Sequence, residues 1–308
     1  MTRRRRAAPP GSAGARRAAP LPAVILGSGI WHLLRGRRGL RLSRGEIGET
    51  PFGPSRPIFS TVLPGGRRVL LMTRHGEAGY DVGAWSVNYR ANLWALKDRG
   101  ADLVLSTSAC GGIDPRLSVG TFVVPHDLLD KTTRRAKTFF EGAGLGIVRH
   151  GQPFCPALRA ALAEGLAAVG VRHRLGGVYV CTDGPRLETP AEICSYAREG
   201  ATIVGMTVAP EFALARELEL CYATLSWVVN PAEGVVPRPY RPDLLFEGMA
   251  TEEELAEGDR VAARLPEVLA AALDRLSSDR ACDCRRAMER YKQRGDIGED
   301  FRTWVKRT

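Results

Sequence analysis

Short apolar runs alternate with amphipathic stretches from Pro22 through most of the chain. Continuous runs of Val, Leu and Ile are typical of strands that are covered on both faces. The pattern predicts strands at residues 23–26, 68–73, 103–107, 121–125, 177–182, 202–206 and 222–229. Because amphipathic stretches separate these strands, the sequence favours one α/β domain with helices on both faces of the sheet.

Helix boundaries follow from spacing, capping residues and proline. Apolar residues at helical spacing predict a helix that begins near Val87 and ends before Gly100. Three further helices are expected where favourable first-turn residues occur: at Pro156, at Thr189 with Pro190, and at Thr251 with Glu254. Pro266 should kink or split the last of these helices, since proline interrupts a helix interior.

Composition divides the chain into three parts. Residues 1–20 are rich in Arg, Pro and Gly and poor in bulky apolar residues, so we expect a disordered tail. Nucleic-acid binding by this tail is not favoured, because no aromatic residues interleave with its arginines to stack on bases. Residues 21–277 carry the α/β pattern, and residues 278–308 form a charged extension that is either helical or disordered.

The chain has the composition of an ordinary globular protein, with 44% hydrophobic and 25% charged residues. Six arginines in the N-terminal tail supply much of the net charge of +10, so the remainder is only mildly basic. No apolar run approaches the roughly 20 residues that a membrane-spanning helix needs. The Pro-, Gly- and Ala-rich start does not have the form of an export signal, so we expect a cytoplasmic protein with no membrane partner.

The seven cysteines are scattered through apolar segments, and an odd, scattered set does not predict a disulfide framework. Reduced thiols in a cytoplasm are the simpler interpretation. Cys282 and Cys284 form a C-x-C motif with no histidine or further cysteine beside them in the sequence. Because a structural zinc ion takes four ligands, we expect spare thiols here and no metal site.

Polar residues and glycines follow six predicted strands, at residues 27–29, 74–76, 106–112, 182–189, 206–211 and 230–234. Ligands of open α/β sheets bind at the carboxyl ends of strands, so these segments are candidate binding loops. The turn around Ser28 can cradle an oxyanion, Arg74 suits bidentate capture of phosphate, and His75 can add a donor. Each segment alone is equally an ordinary turn. Together they lack a Ser-His-Asp set or paired carboxylates, which favours chemistry by positioning and electrostatics.

Several long motifs occur in a fixed order between residues 23 and 276: VILGSGI, RHG, VNYRANLWALK, STSACGG, GPRLET, GMTVAPEFALARE and VVNPAEG. In these motifs the chain resembles the trimeric purine nucleoside phosphorylase and methylthioadenosine phosphorylase family. The resemblance implies an α/β fold, a three-layer α/β/α sandwich with a distorted mixed central sheet, over residues 21–277. It also implies a homotrimer. GPRLET and VVNPA are most similar to the methylthioinosine phosphorylase subgroup.

The resemblance implies roles for individual residues. The phosphate ligands would be Ser28, Arg74, His75, Ser108, Thr207 and the backbone of Ala109. The residues that contact the nucleoside would be Met206 at the ribose and Leu187, Glu188 and Asn230 at the base. Glu188 and Asn230 would also be the catalytic pair. No metal or organic cofactor is implied, and inorganic phosphate is the co-substrate of the purine nucleoside.

The base-reading pair can be argued from hydrogen bonding. A 6-oxopurine carries a donor at N1 and an acceptor at O6. The carboxylate of Glu188 can accept from N1–H, and the amide of Asn230 can donate to O6 or N7. Adenine would turn a bare N1 lone pair toward the carboxylate, a mismatch that costs roughly 1–3 kcal/mol. Adenosine-type relatives look to have Ser and Asp at these two positions, so the sequence predicts a 6-oxopurine.

One segment departs from the family pattern and leaves alternatives open. Relatives have further histidines after RHG and a Pro-His before VNYRAN, whereas this chain has neither between Glu77 and Ser86. Tyr80 or Trp85 are candidates to line an altered pocket for the 5′ substituent. The alternatives are a methylthioadenosine-type phosphorylase, a phosphorylase of another 5′-modified nucleoside, a nucleosidase that uses water, and a catalytically weak nucleoside-binding homologue.

Overall fold

The computed structural model describes residues 20–35, 40–63, 66–78 and 80–305. The predicted tail at residues 1–20 lies outside these ranges apart from Pro20. The strands are β1 (Pro22–Leu26), β2 (Glu49–Thr50), β3 (Gly53–Pro54), β4 (Ile58–Val62), β5 (Arg68–Thr73), β6 (Leu103–Gly112), β7 (Phe122–Val124), β8 (Asp127–Asp130), β9 (His173–Leu175), β10 (Val178–Cys181), β11 (Ile203–Gly205) and β12 (Cys221–Pro231).

The helices are α1 (Ile30–Arg35), α2 (Tyr89–Asp98), α3 (Pro156–Val169), α4 (Pro190–Arg198), α5 (Val208–Glu217), α6 (Glu252–Ala262), α7 (Leu265–Asp274) and α8 (Glu289–Arg294). Thr189 and Thr251 each complete a capping box, with Glu192 and Glu254 respectively, as their positions in the sequence predict. The predicted long C-terminal helix is split into α6 and α7 beside Pro266. In the described part of the chain, no helix is long and apolar enough to cross a membrane.

One mixed sheet organises the described residues, in the order β4-β5-β1-β6-β11-β10-β8, with β12, β7 and β9 branching from it. The branch arises because β6 has three partners. Strand β12 pairs in parallel along the whole of β6, β1 pairs in parallel with its first half, and β11 pairs antiparallel with its end. Two strands therefore share one edge of β6, which is the physical basis of the distorted sheet.

Alternating side chains of the sheet enter two hydrophobic clusters. On one face, Ala23 and Ile25 of β1 pack with residues of α2 and α5. On the other face, Val24 and Leu26 pack with residues of α1, α3 and α7. Both faces of the strand are buried, as continuous apolar runs require. The architecture is a three-layer α/β/α sandwich, and this confirms the fold expected from the sequence.

All seven predicted strands are present, but the apolar pattern did not predict every strand. Strand β6 extends five residues beyond its predicted end, through residues 108–112, because β12 continues to pair with it there. Strands β2, β3, β4, β8 and β9 were missed, and partly exposed side chains interrupt the apolar character of β8 and β9. Tertiary pairing decides the conformation of such short segments.

Residues 278–305 are folded onto the body of the protein. Tyr291, Phe301 and Trp304 are buried in the same cluster as Trp94 of α2. The Phe301 ring meets Trp94 edge-on, with 4.9 Å between ring centroids. The segment is ordered but only partly helical, with α8 and two short 3-10 turns, at Cys284–Arg286 and Phe301–Thr303. Its apolar side chains are too few and too widely spaced to indicate burial by periodicity alone.

Candidate active site

The strand ends that carry the sequence motifs are neighbours in space. Strand β1 lies between β5 and β6 and is parallel to both. The segments that follow these strands therefore leave the sheet at the same edge. Ser28 follows β1, Arg74 follows β5, and Ser108 lies in the second half of β6. The predicted phosphate residues are brought together, as parallel pairing requires.

Arg74 is fully buried and does not present an open guanidinium. Its Nε and Nη2 donate to the two carboxylate oxygens of Glu211, at 2.6 and 3.0 Å. Nη2 also donates to Ser106 Oγ, at 2.9 Å, and Nη1 donates to Thr107 O, at 3.0 Å. Bidentate capture of phosphate, expected from the sequence, is therefore wrong for this arrangement because Glu211 occupies the bidentate face. One of the five guanidinium hydrogens is left for a ligand.

The Arg74–Glu211 pair joins three elements beneath the site. Glu211 lies in α5 and also accepts a hydrogen bond from Tyr222 Oη of β12, at 2.8 Å. Burial alone would lower the pKa of Arg74, but the adjacent Glu211 carboxylate outweighs it and raises that pKa. The guanidinium therefore remains charged, and its charge lies directly under the strand ends.

His75 is almost fully buried beside Arg74. Its Nδ1 lies 2.9 Å from Val82 O, and because a carbonyl only accepts, Nδ1 carries the proton. Burial, followed by the charge of Arg74, lowers the pKa of His75 to about 4. The neutral ring then offers Nε2 as an acceptor. With Nδ1 donating to Val82 O, Nε2 suits a protonated oxygen of phosphate, and the role of His75 at phosphate stays a prediction.

This environment predicts acid destabilisation. The ordinary pKa of 6.5 exceeds the folded value of about 4, so the unfolded state binds more protons between these pH values. Stability contributed by neutral His75, roughly 3 kcal/mol at most, should fall as pH drops through this window. Urea unfolding of the wild type and of His75→Gln measures the effect, and the variant should have the flatter pH profile. Equal slopes in the two proteins would contradict the buried neutral histidine.

Ser108 and Thr207 form a hydroxyl cluster at the centre of the site. Thr207 Oγ1 donates to Ser108 Oγ at 3.3 Å, and Ser108 Oγ lies 2.9 Å from the buried Tyr179 hydroxyl. Thr207 precedes a kink at Ala209, where the backbone is non-helical, so the regular part of α5 begins only after that residue. Gly205 faces the Tyr179 hydroxyl so closely that any side chain there would clash. Tyr179, which has no predicted role, fixes the position of Ser108.

Tyr80, in the segment whose sequence departs from the family pattern, covers the turn around Ser28. Tyr80 Oη donates to Ser28 Oγ at 2.8 Å, although the Tyr80 ring is 66% exposed. The ring also lies beside His75, with 5.4 Å between ring centroids. Tyr80 therefore lies over the expected phosphate residues, on the side open to solvent.

Met206 and Trp85 meet at one wall of the site. A side chain on Gly184, which has a φ of +70°, would approach Met206 Sδ to 2.7 Å and the Trp85 ring to 3.5 Å. Both Met206 and Trp85 are partly exposed. The indole therefore lies on the same side of Gly184 as Met206, the expected ribose contact.

Glu188 is buried and accepts a hydrogen bond from Thr182 Oγ1 at 2.6 Å. Thr182 comes directly after β10, so this bond fixes the carboxylate at a strand end. Leu187 precedes it and is partly exposed. Thr182 was not assigned a role from the sequence, and its hydroxyl leaves the second carboxylate oxygen available to a ligand.

Asn230 lies at the far end of β12, where the register with β6 shifts between Val228 and Asn230. This bulge re-aims the chain, as bulges beside binding sites commonly do. The buried Asn230 amide donates to Pro231 O at 2.6 Å. The segment after Asn230 meets the segment after Glu188, because a side chain on Gly234 would touch Pro190. The two predicted base-reading segments are thus neighbours.

The C-x-C motif does not stand alone. Cys282 and Cys284 lie with Cys155 and Cys221, and all four sulfur atoms are within 4.8 Å of one another. The expectation that the motif has no further cysteine beside it is therefore wrong in three dimensions. Sequence spacing did not reveal this, since the N-cap of α3, strand β12 and the extension contribute the four cysteines from distant parts of the chain.

Comparisons with known proteins agree with this geometry. The model of the phosphorylase superfamily matches residues 23–274. A probable S-methyl-5′-thioinosine phosphorylase of Pseudomonas syringae is 42% identical over 254 residues, covering 81% of this chain and 98% of the relative. A probable 6-oxopurine nucleoside phosphorylase of Dictyoglomus turgidum is 36% identical over 278 residues, covering 89% and 98%.

Solved structures give the same result. A methylthioadenosine phosphorylase from an Antarctic soil metagenomic library superposes with a TM-score of 0.74 and 28% identity, covering 88% of this chain and 91% of that one. The matched span includes all six strand-end segments of the candidate site. The chain belongs to the phosphorylase superfamily.

Proposed function

We propose that this chain catalyses phosphorolysis of a purine nucleoside with a 6-oxo base, releasing the free purine and a ribose 1-phosphate. The observation that carries the proposal is the grouping of a hydroxyl cluster, a buried cation and a buried carboxylate around the middle of β6, where β1 and β11 end from opposite directions. The hydroxyl oxygens of Ser108 and Thr207 are 3.3 Å apart, and Arg74 is buried nearby in its pair with Glu211. Glu188 lies in the segment that follows β10. Relatives with 6-oxopurine and methylthioinosine names support the same reaction.

Phosphate would lie against the hydroxyls of Ser28, Ser108 and Thr207 and the backbone of Ala109. The free Nη1 hydrogen of Arg74 adds positive potential. His75 Nε2 would accept a hydrogen bond from the protonated oxygen of phosphate, since Nδ1 already donates to Val82 O. The other groups act as donors to phosphate, so the acceptor at His75 Nε2 is the feature that suits a monoprotonated phosphate.

The reaction requires phosphate on the face of C1′ opposite the base. The glycosidic bond breaks toward the purine as an oxocarbenium-like ribose develops, and a phosphate oxygen then bonds to C1′. Positioning two bound reactants contributes roughly 7–11 kcal/mol of barrier lowering in favourable cases. Asn230 would donate to the purine as charge develops at N7, once its amide leaves Pro231 O. No metal or organic cofactor enters these steps.

Base choice would rest on Glu188. Its carboxylate is buried and held by one bond from Thr182, so it needs a donor from the ligand. The N1–H of hypoxanthine or guanine supplies that donor, and adenine does not. A 6-oxopurine is therefore the expected base.

The 5′ substituent would meet Trp85. Because the indole lies beside Met206, an apolar methylthio group fits this wall better than a hydroxyl group does. Trp85→Ala should lower kcat/KM for methylthioinosine about three- to tenfold more than for inosine, the cost of uncovering one or two carbon-sized groups. Steady-state kinetics with both nucleosides measure the ratio of the two kcat/KM values. Trp227 is not a suitable control position, because that residue is in the core. An unchanged ratio would remove Trp85 from the 5′ pocket.

A homotrimer in the cytoplasm completes the proposal. The relationship to the phosphorylase superfamily supports this proposal. The segment of residues 77–86 is expected near a subunit interface. Light scattering of the purified protein tests the assembly directly.

The test of the function is base release from inosine, guanosine, adenosine, methylthioinosine and methylthioadenosine, each with and without phosphate. Phosphate-dependent release confined to the 6-oxopurines is the expected result. Preferred cleavage of the adenine nucleosides would support a methylthioadenosine-type phosphorylase instead. Release that does not need phosphate would identify a nucleosidase. Saturable binding without turnover, both of these nucleosides and of other 5′-modified nucleosides, would indicate a nucleoside-binding homologue.

A further inference from the structure

Four cysteines that are far apart in the sequence meet at one point of the fold. Cys155 precedes the first turn of α3, Cys221 begins β12, and Cys282 and Cys284 belong to the C-terminal extension. All four sulfurs lie within 4.8 Å of one another, and the Cys221 and Cys282 sulfurs are 3.6 Å apart. Three of the four side chains are buried, and Cys282 is half-buried.

These separations match a tetrahedral metal site better than a set of disulfides. A zinc ion bonded to four thiolates at about 2.3 Å places the sulfurs about 3.8 Å apart. A disulfide brings two sulfurs to about 2.05 Å, well inside the 3.6 Å found here. A cage of this size holds a single ion and leaves no room for a multi-iron cluster.

The surroundings can balance the charge of four thiolates. Cys155 occupies the N-cap position of α3, a helix of 14 residues, so the positive end of the helix faces the cluster. Arg159 lies one helical turn after Cys155, and Arg280 lies two residues before Cys282. Both arginines carry buried guanidinium N–H groups without a hydrogen-bond partner among the described residues.

We propose that Cys155, Cys221, Cys282 and Cys284 bind one zinc ion, which ties the C-terminal extension to the core of the enzyme. Four-thiolate coordination with no open position is the arrangement of structural zinc. Beyond the cluster, the extension continues into residues that contact Glu219, where Lys292 forms an ion pair of 2.7 Å. The ion would fix the start of this segment, and the apolar residues after it complete the core.

The proposed ion lies far from Asn230 and the expected base site, although Tyr222, next to Cys221, bonds to Glu211 of the buried Arg74 pair. Cys221 and Asn230 occupy opposite ends of β12, and nine residues of extended chain span about 30 Å. The zinc would therefore stabilise the fold without taking part in base release. Failure of the zinc proposal and failure of the proposed function are distinguishable for this reason.

The experiment is metal analysis of the full chain, expressed with zinc in the medium and purified under reducing conditions without chelator. Mass spectrometry of the metal should find one zinc per chain. Cobalt added in place of zinc should give thiolate-to-cobalt charge-transfer absorption and the intense visible bands of a tetrahedral site. Cys282→Ser with Cys284→Ser should lose the metal and lower the Tm by about 5 °C or more.

Two control variants separate metal binding from the loss of a thiol. Cys110→Ser removes a buried cysteine outside the cluster, and Cys194→Ser removes an exposed one. Both should retain the zinc. Cys282→His should also retain it, because imidazole nitrogen is a zinc ligand and this position is half-buried.

Thiol titration decides the competing outcome. Denatured, chelator-treated protein should show all seven thiols, whereas the native protein should react readily at Cys194 and slowly at the cluster until chelator is added. Two fewer thiols for each disulfide would overturn the proposal. It would also be overturned by a metal-free protein with seven free thiols, or by iron in place of zinc in zinc-containing medium.

Discussion

Replacing Arg74 with alanine is expected to lower kcat/KM for phosphorolysis more than about a hundredfold, the scale of removing one group that stabilises charge in a transition state. The same change should destabilise the fold by about 3–5 kcal/mol, because it leaves the Glu211 carboxylate buried without its cation. Steady-state kinetics with varied phosphate and urea unfolding measure the two effects. We expect kcat/KM to decrease more for phosphate than for the nucleoside.

A double variant separates the two effects. Arg74→Met with Glu211→Gln removes both charges, and neutral replacement of a whole buried pair is often close to neutral in stability. The unfolding free energy should therefore return near the wild-type value, while kcat/KM stays low. Recovery of activity in the double variant would mean that Arg74 acts only by holding strand ends together. Near-wild-type activity in the single variant would remove Arg74 from the phosphate site.

Exchanging the base-reading pair should reverse the base preference. Glu188→Ser with Asn230→Asp removes the acceptor for N1–H and supplies one for the adenine amino group. Each mismatched buried group costs roughly 1–3 kcal/mol, so the combined loss of kcat/KM for inosine should reach at least about thirtyfold. Adenosine should become the better substrate. The ratio of kcat/KM values for the two nucleosides measures the change.

A neighbouring carboxylate provides the control for this exchange. Glu199→Gln removes an exposed acid that follows α4 and pairs with Lys131 on the surface. Its effect on either nucleoside should be less than about twofold, since exposed ion pairs contribute little. An inosine preference that persists in the Glu188 and Asn230 double variant would show that base choice resides elsewhere.

The sheet and the location of the site were predictable from the sequence because both follow from local pattern. Apolar runs such as that of β1 identify strands, and polar residues that follow them identify the ligand edge. Ser28, Ser108 and Thr207 lie where this reasoning puts them. The bulge before Asn230 was not predictable, since it depends on how β12 pairs with β6 rather than on its own residues.

Electrostatic details could not be predicted, because partners are distant in the sequence. Arg74 and Glu211 are 137 residues apart, and only the fold shows that Glu211 occupies the face expected for phosphate. The donor at His75 Nδ1 is likewise committed to the carbonyl of Val82, in a loop whose sequence departs from the family. A motif identifies the residue type at a site, whereas the free hydrogen-bonding atom is decided by three-dimensional neighbours.

The packing of the C-terminal extension has a consequence for folding kinetics. Arg302 bonds to Asp98 across 204 residues of chain, and Phe301 covers Trp94 in the same region. Contacts of such large sequence separation form late, because loop closure costs entropy before the contact returns any energy. During synthesis, the surface around Trp94 therefore stays uncovered until residues near 300 have emerged. In that interval the nascent chain exposes an aromatic patch, a surface of the kind that chaperones bind.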